Sequence, residues 1–213
     1  DLAADPVSIL KNYYTDAAKS NLVQLSASVA KIGEKYYQSL AAAFAAAAQT
    51  EELTTIELLP VTIEEDDDIN TVEKTIKLPA TLKNVTVKGA EGAFLKDMTI
   101  MAADGNSINY EGITFDGVVF DNSRISVTGW RNNGVVVKDF TVTNCRFFNL
   151  NDGTNNAPVH FNMAATEPVN GFTFTNNVID GATGGSKSGV YAQMTGKVIF
   201  TNNTINNVAF RPY

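Results

Sequence analysis

Gly171–Ile179 reads GFTFTNNVI and Lys197–Ile205 reads KVIFTNNTI; superposed, they share the frame apolar-x-Phe-Thr-Asn-Asn-x-Ile. The frame also fits Phe140–Phe147 (FTVTNCRF), Ile113–Phe120 (ITFDGVVF) and, more loosely, Ala93–Ile100 (AFLKDMTI). Read as columns, the copies align Ala93, Ile113, Phe140, Phe172 and Val198, and two residues on Leu95, Phe115, Val142, Phe174 and Phe200. Mostly Thr or charged residues lie between these columns, which is the period-two alternation of a strand with one buried face. A last column, Ile100, Phe120, Phe147, Ile179 and Ile205, is reached only after the phase shifts through a fixed pair. The first member of that pair is Asp97, Gly117, Asn144, Asn176 or Asn202. These are residue types that tolerate a left-handed backbone, so each predicts a one-residue bend between two short strands. The second member, Met98, Val118, Cys145, Asn177 or Asn203, reads as pointing inward. A buried Asn is costly unless its amide is hydrogen-bonded, and the expected partner is the Asn stacked on it in the next turn.

The copies begin 20, 27, 32 and 26 residues apart. Periods in this range signify a solenoid. With strand–bend–strand units and no helix between them, the expected fold is all-β, a right-handed parallel β-helix built as a single-stranded solenoid. The handedness follows from the preference for right-handed crossovers between parallel strands.

Composition narrows the function classes. Charged residues are only 18% of the 213, and the formal net charge is −7. An acidic chain disfavours nucleic acid as a partner. Its longest small-apolar run, Leu40–Ala48, is far too short to span a bilayer. No signal peptide is visible. Cys145 is the only cysteine, which rules out an intrachain disulfide, and its inward column makes it a buried, inert thiol.

Along the chain, residues 1–28 differ in character from 29–213, which form the expected capped β-helix domain. Asp5-Pro6 is a helix start, and Val7, Leu10 and Tyr14 recur at helical spacing, so a leading helix over Pro6–Leu22 is expected, packed on the domain or serving as a linker. Ser28–Tyr37 reads as strand, Gly-containing turn and strand. Ser39 is placed to cap a helix over Leu40–Ala48, with Leu40, Phe44 and Ala47 or Ala48 as its apolar stripe. Thr54–Leu59, Lys74–Pro79 and Leu82–Val87 are strand-like, and the acidic run Glu64–Asp68 reads as a solvated loop without the spacing of a calcium-binding loop.

Val29–Gln49 (VAKIGEKYYQSLAAAFAAAAQ), Thr55–Ile63 (TIELLPVTI) and Lys74–Gly89 (KTIKLPATLKNVTVKG) together resemble a segment common in secreted bacterial surface proteins. There, a strand pair and a short Ala-rich helix cap the N-terminal end of a pectate lyase-like β-helix. The resemblance covers roughly Val29–Tyr213 and implies architecture, an N-terminal α-helical cap, and a secreted or cell-surface location. It does not fix activity, because this architecture hosts many functions. A cap is needed in any case, since a first solenoid turn exposes apolar ends and unpaired edges.

The third set of strands is where chemistry could sit. Arg124–Thr128 (RISVT), Val159–Met163 (VHFNM) and Val190–Met194 (VYAQM) follow successive bends and should align on another sheet. Ser126, Thr128, His160, Asn162, Tyr191 and Gln193 would then face outward, with Trp130 and Arg131 at one edge. An aromatic, an imidazole and amides on one flat surface suit glycan, the ring covering the apolar face of a sugar while amides bond its hydroxyls. The candidate binding residues are Trp130, Arg131, His160, Asn162, Tyr191 and Gln193. No metal site is expected, because His160 is the only histidine and Cys145 the only cysteine.

No catalytic residue is assigned. Polygalacturonases of this architecture carry Asn-Thr-Asp, Asp-Asp and Gly-His-Gly motifs, and neither Asn-Thr-Asp nor Gly-His-Gly occurs here. Pectate lyases pair a calcium-binding acid cluster with an arginine, yet Arg124, Arg131 and Arg146 have no acid cluster nearby in sequence. Glycoside hydrolysis needs two carboxylates at a defined separation, and no column supplies them. The expectation is a non-catalytic, monomeric module without cofactor, adhesin-like and glycan-binding or a structural spacer. The alternative is a lyase or hydrolase acting on an acidic polysaccharide. At the other end, Asn206–Tyr213 is expected either to fold Val208, Phe210 and Tyr213 over the last turn or to precede a further covering domain.

Overall fold

A computed structural model of the chain describes residues 13–14, 22–23, 28–64, 74–104, 107–128, 135–150, 157–162, 169–181, 189–192 and 194–206. From Thr54 onward the chain visits three parallel sheets in a fixed order. One circuit runs Val135–Thr143 in the first sheet, Arg146–Leu150 in the second and Val159–Asn162 in the third, then returns to the first at Val169–Thr175. The result is a parallel β-helix, a solenoid whose interior is one continuous apolar core.

The sequence columns are the stacks of that core. Phe115 pairs with Val142, Val142 with Phe174 and Phe174 with Phe200. In the second sheet, Phe120 pairs with Phe147, Phe147 with Ile179 and Ile179 with Ile205. Rings in adjacent turns lie face to face, Phe120 on Phe147 at 4.4 Å and Phe174 on Phe200 at 5.1 Å between centroids. Such offset stacks add to the stabilisation from burial alone. Phe174 is fully buried, whereas Phe200 on the last described first-sheet strand is 46% exposed.

The bend residues are left-handed as expected: Gly117, Asn144, Asn176 and Asn202 have φ of 67°, 54°, 57° and 56°. They turn the chain from the first sheet into the second. The looser copy, Ala93–Ile100, belongs one corner further on. Leu95 pairs with Phe120 in the second sheet, and Asp97 (φ 54°) bends into the third, as Asn122 (φ 47°) does one turn later. The residue under Phe115 is therefore Val87. A strand–bend–strand unit has the same signature at either corner, which is why the frame slid by one side. At the first corner of that early turn stands Gly89 instead. Its backbone passes so close to Gly117 that a Cβ would run into the Gly117 carbonyl. Within the first sheet a second left-handed column, Asn84, Gly112, Asp139, Gly171 and Gly196, bends each turn again.

The inward Asn residues bond differently from the expectation. Asn177 Oδ1 accepts the backbone N–H of Cys145 at 2.8 Å, and its Nδ2 donates to the Val142 carbonyl at 2.9 Å. Asn203 repeats both bonds one turn later, to the Asn177 N–H at 2.9 Å and the Phe174 carbonyl at 2.8 Å. The partners are backbone groups of the preceding turn and not the stacked amides. The bend leaves those groups outside the sheet ladder, and buried backbone polar groups must find partners. Cys145 substitutes in the same column with its thiol at 3.4 Å from the Phe115 carbonyl, and Ser123 Oγ accepts the Met98 N–H at 3.0 Å at the next corner.

The N-terminal end is covered. Ala30–Ile32 and Lys35–Tyr37 form an antiparallel hairpin, turned at Gly33 (φ 54°), that lies along Thr54–Leu58 of the first sheet. The helix Leu40–Ala47 follows. Ser39 is extended (φ −138°, ψ 150°) and its hydroxyl accepts the Ala42 N–H at 3.0 Å, a standard N-cap. Leu40, Ala43, Phe44 and Ala47 are buried in the common core, so the helix closes the first turn with its apolar face.

Of the expected leading helix over Pro6–Leu22, only Tyr13, Tyr14 and Leu22 are described, and the rest lies outside the described residues. Tyr13–Tyr14 pairs antiparallel with Leu22–Val23. The expected cover by Val208, Phe210 and Tyr213 lies outside the described residues.

Candidate functional site

The three strands expected to align do so. In the third sheet Ile125 pairs with Val159 and Val159 with Val190, while Val127 pairs with Phe161 and Phe161 with Ala192. Ile125, Val127, Val159 and Phe161 are fully buried. Alternation then turns the residues between them to the outer face. There Ser126 pairs with His160 and His160 with Tyr191, one residue per turn in a single column. The imidazole and the phenol ring meet edge to face, centroids 5.0 Å apart with planes at 76°.

Two features of this face are not obvious from alternation. Ser126, although outward, is only 6% exposed, and Thr99, also outward, only 4%. Arg124, two residues before Ser126 and so on the same face, donates from Nε to Thr99 Oγ1 at 3.0 Å. Its positive charge and, more strongly, burial hold the His160 imidazole below its ordinary value of 6.5. Nδ1 of His160 is buried and finds no hydrogen-bond partner among the described residues. A protonated ring would carry its charge in a largely buried place near a guanidinium, so the neutral form is favoured at pH 7.

His160 and Tyr191 are thus brought together as the sequence suggested. Asn162 pairs by its backbone with Thr128, but its side chain is outside the described part. Trp130, Arg131 and Gln193 are outside the described residues. Arg124 and Thr99 were not among the candidates. The signal that could have found Arg124 was its parity with Ser126 on a five-residue strand, Arg124–Thr128.

Other charged groups near this face are paired at the surface. Lys77, in the same column two turns before Ser126, meets Asp104 at 2.7 Å. Glu64, the one described member of the acidic run, meets Lys74 at 2.8 Å and Lys96 at 3.2 Å. Among the described residues no three His, Cys, Asp or Glu side chains gather as metal ligands, and no helix is long and apolar enough to cross a membrane. What the face offers chemically is an aromatic ring, a neutral imidazole and a guanidinium on one sheet.

Comparison with protein-family models, curated proteins and solved structures finds no match for this chain.

Proposed function

We propose that this chain is a non-catalytic β-helix module of a secreted or cell-surface bacterial protein, adhesin-like, that binds glycan on the outer face of its third sheet. One observation carries the reading: the register that stacks Ser126, His160 and Tyr191 in one column, with Arg124 alongside. A pyranose presents a flat apolar face of C–H groups and a rim of hydroxyls. The Tyr191 ring suits the former; the imidazole and the guanidinium suit the latter. A parallel sheet fixes the spacing of these groups, so little conformational entropy is lost when sugar binds. The resemblance of Val29–Gly89 to the capped pectate lyase-like helices of bacterial surface proteins supports the location.

The rival reading, a lyase or hydrolase of acidic polysaccharide, draws on the proximity of Arg124 to His160. It requires a second titratable group converging on His160 to share the proton work. One experiment separates the two. The intact chain is applied to a glycan array and, in parallel, incubated with polygalacturonate and other acidic polysaccharides while unsaturated products and reducing ends are followed. Retention of a defined glycan set without product release is the expected result. Product release that disappears in His160→Ala would replace this reading with the enzymatic one.

A further inference from the structure

On the first sheet, the outward positions between the core columns form a second ordered surface that the glycan reading does not use. Thr141 pairs with Thr173, and Thr173 with Ile199; two residues along, Thr143 pairs with Thr175, and Thr175 with Thr201. The first of these columns continues with Thr through three earlier turns, at Thr114, Thr86 and Thr55. The second column carries Asp116, Lys88 and Glu57 in those earlier turns. Over the last three described turns no charge interrupts either column. The Thr143 and Thr175 hydroxyls lie 3.1 Å apart.

Strand preference explains a threonine at any one outward position. It does not explain why both adjacent columns stay free of charge over three successive turns, in a chain of net charge −7, when the second carries Asp116, Lys88 and Glu57 in the turns before. Their geometry is set by the sheet: neighbouring turns are about 4.8 Å apart, and residues two apart on a strand are about 6.7 Å apart. Hydroxyl and methyl groups therefore repeat on a nearly rectangular net. That net is close in both directions to the repeat of water molecules on a prism face of hexagonal ice. Its neutrality suits the same partner, since charged side chains organise water about themselves and not into a lattice. Sugar surfaces call instead for aromatic rings, and none stands in these columns.

We propose that the Thr141–Thr201 face of the first sheet binds ice, by ordering surface water between its methyl groups into continuity with the crystal. The test uses the whole chain in an ice-recrystallisation assay and a measurement of thermal hysteresis, with serum albumin as the inert reference. Wild type should slow recrystallisation where albumin does not. Thr173→Lys and, separately, Thr201→Lys should abolish the effect while leaving far-ultraviolet circular dichroism and melting temperature unchanged. Thr204→Lys, an exposed outward position on the second sheet, should keep it. Wild type behaving as albumin does would overturn the proposal. So would inhibition that survives both first-sheet lysines, or that Thr204→Lys removes equally. Thr201 is exposed on the last described first-sheet strand, so its variant remains informative if lysine at Thr173 disturbs folding. None of these outcomes bears on glycan binding by the third sheet.

Discussion

The side-chain oxygen of Asn177 accepts the backbone N–H of Cys145 from the turn before it, at 2.8 Å, and Asn177 is only 1% exposed. The same amide donates to the Val142 carbonyl, so one side chain satisfies two backbone groups that the bend removes from the sheet ladder. Asn177→Ala would leave both groups buried without partners. The expected loss is about 1–3 kcal/mol for such orphaned polar groups. Urea denaturation checks it. Asn177→Asp should be no better, because it keeps the acceptor but loses the donor and buries a charge.

Phe174 and Phe200 occupy successive turns of one stack, yet only the first is fully enclosed. Phe174→Ala should cost about 3–5 kcal/mol, as large-to-small core substitutions do. Phe200→Ala, at a position half open to solvent, should cost about 1–2 kcal/mol, in proportion to the area it buries. Equal losses for the two in chemical denaturation would mean that Phe200 is covered in solution.

The interior was legible because its columns repeat apolar residues at one parity, as Phe115, Val142, Phe174 and Phe200 do. The corners were less so. Asp97 and Asn144 bend different corners with the same residue chemistry, and only the pairing of Leu95 with Phe120 tells them apart. The bend column through Gly112 and Asp139 lacks a fixed residue type, because its need is for a backbone angle and not for a side chain. At the site, the alignment of Ser126, His160 and Tyr191 followed from alternation. The burial of Ser126 and the reach of Arg124 to Thr99 did not, since both depend on side-chain paths across turns.

Burial pushes the Cys145 thiol up to about 12 from an ordinary 9.0. Iodoacetamide at pH 8 should therefore leave the folded chain unmodified and label it only in denaturant. Stability should respond to alkali as well. The unfolded thiol ionises from about pH 9 while the folded one cannot, so the unfolded state gains and stability falls between pH 9 and about 12. Cys145→Ala should lose that part of the alkaline slope.

His160 predicts the opposite limb. Its folded imidazole lies below 6.5, so on acidification the unfolded chain takes up a proton first. Stability should fall as pH drops below about 6.5, down to the lowered folded value. His160→Gln, which cannot titrate, should lack this component in melting temperatures taken at pH 7.5 and pH 5.

The most direct test of the glycan-binding face uses the fact that His160 is the sole histidine. Its imidazole Hε1 proton gives a single NMR signal at the centre of the Ser126–His160–Tyr191 column. Pools of neutral and acidic oligosaccharides are added to the intact chain while that signal is followed. The account predicts a saturable shift with at least one pool, abolished in Tyr191→Ala. A signal that stays fixed with every pool, or a shift that Tyr191→Ala leaves intact, would contradict it.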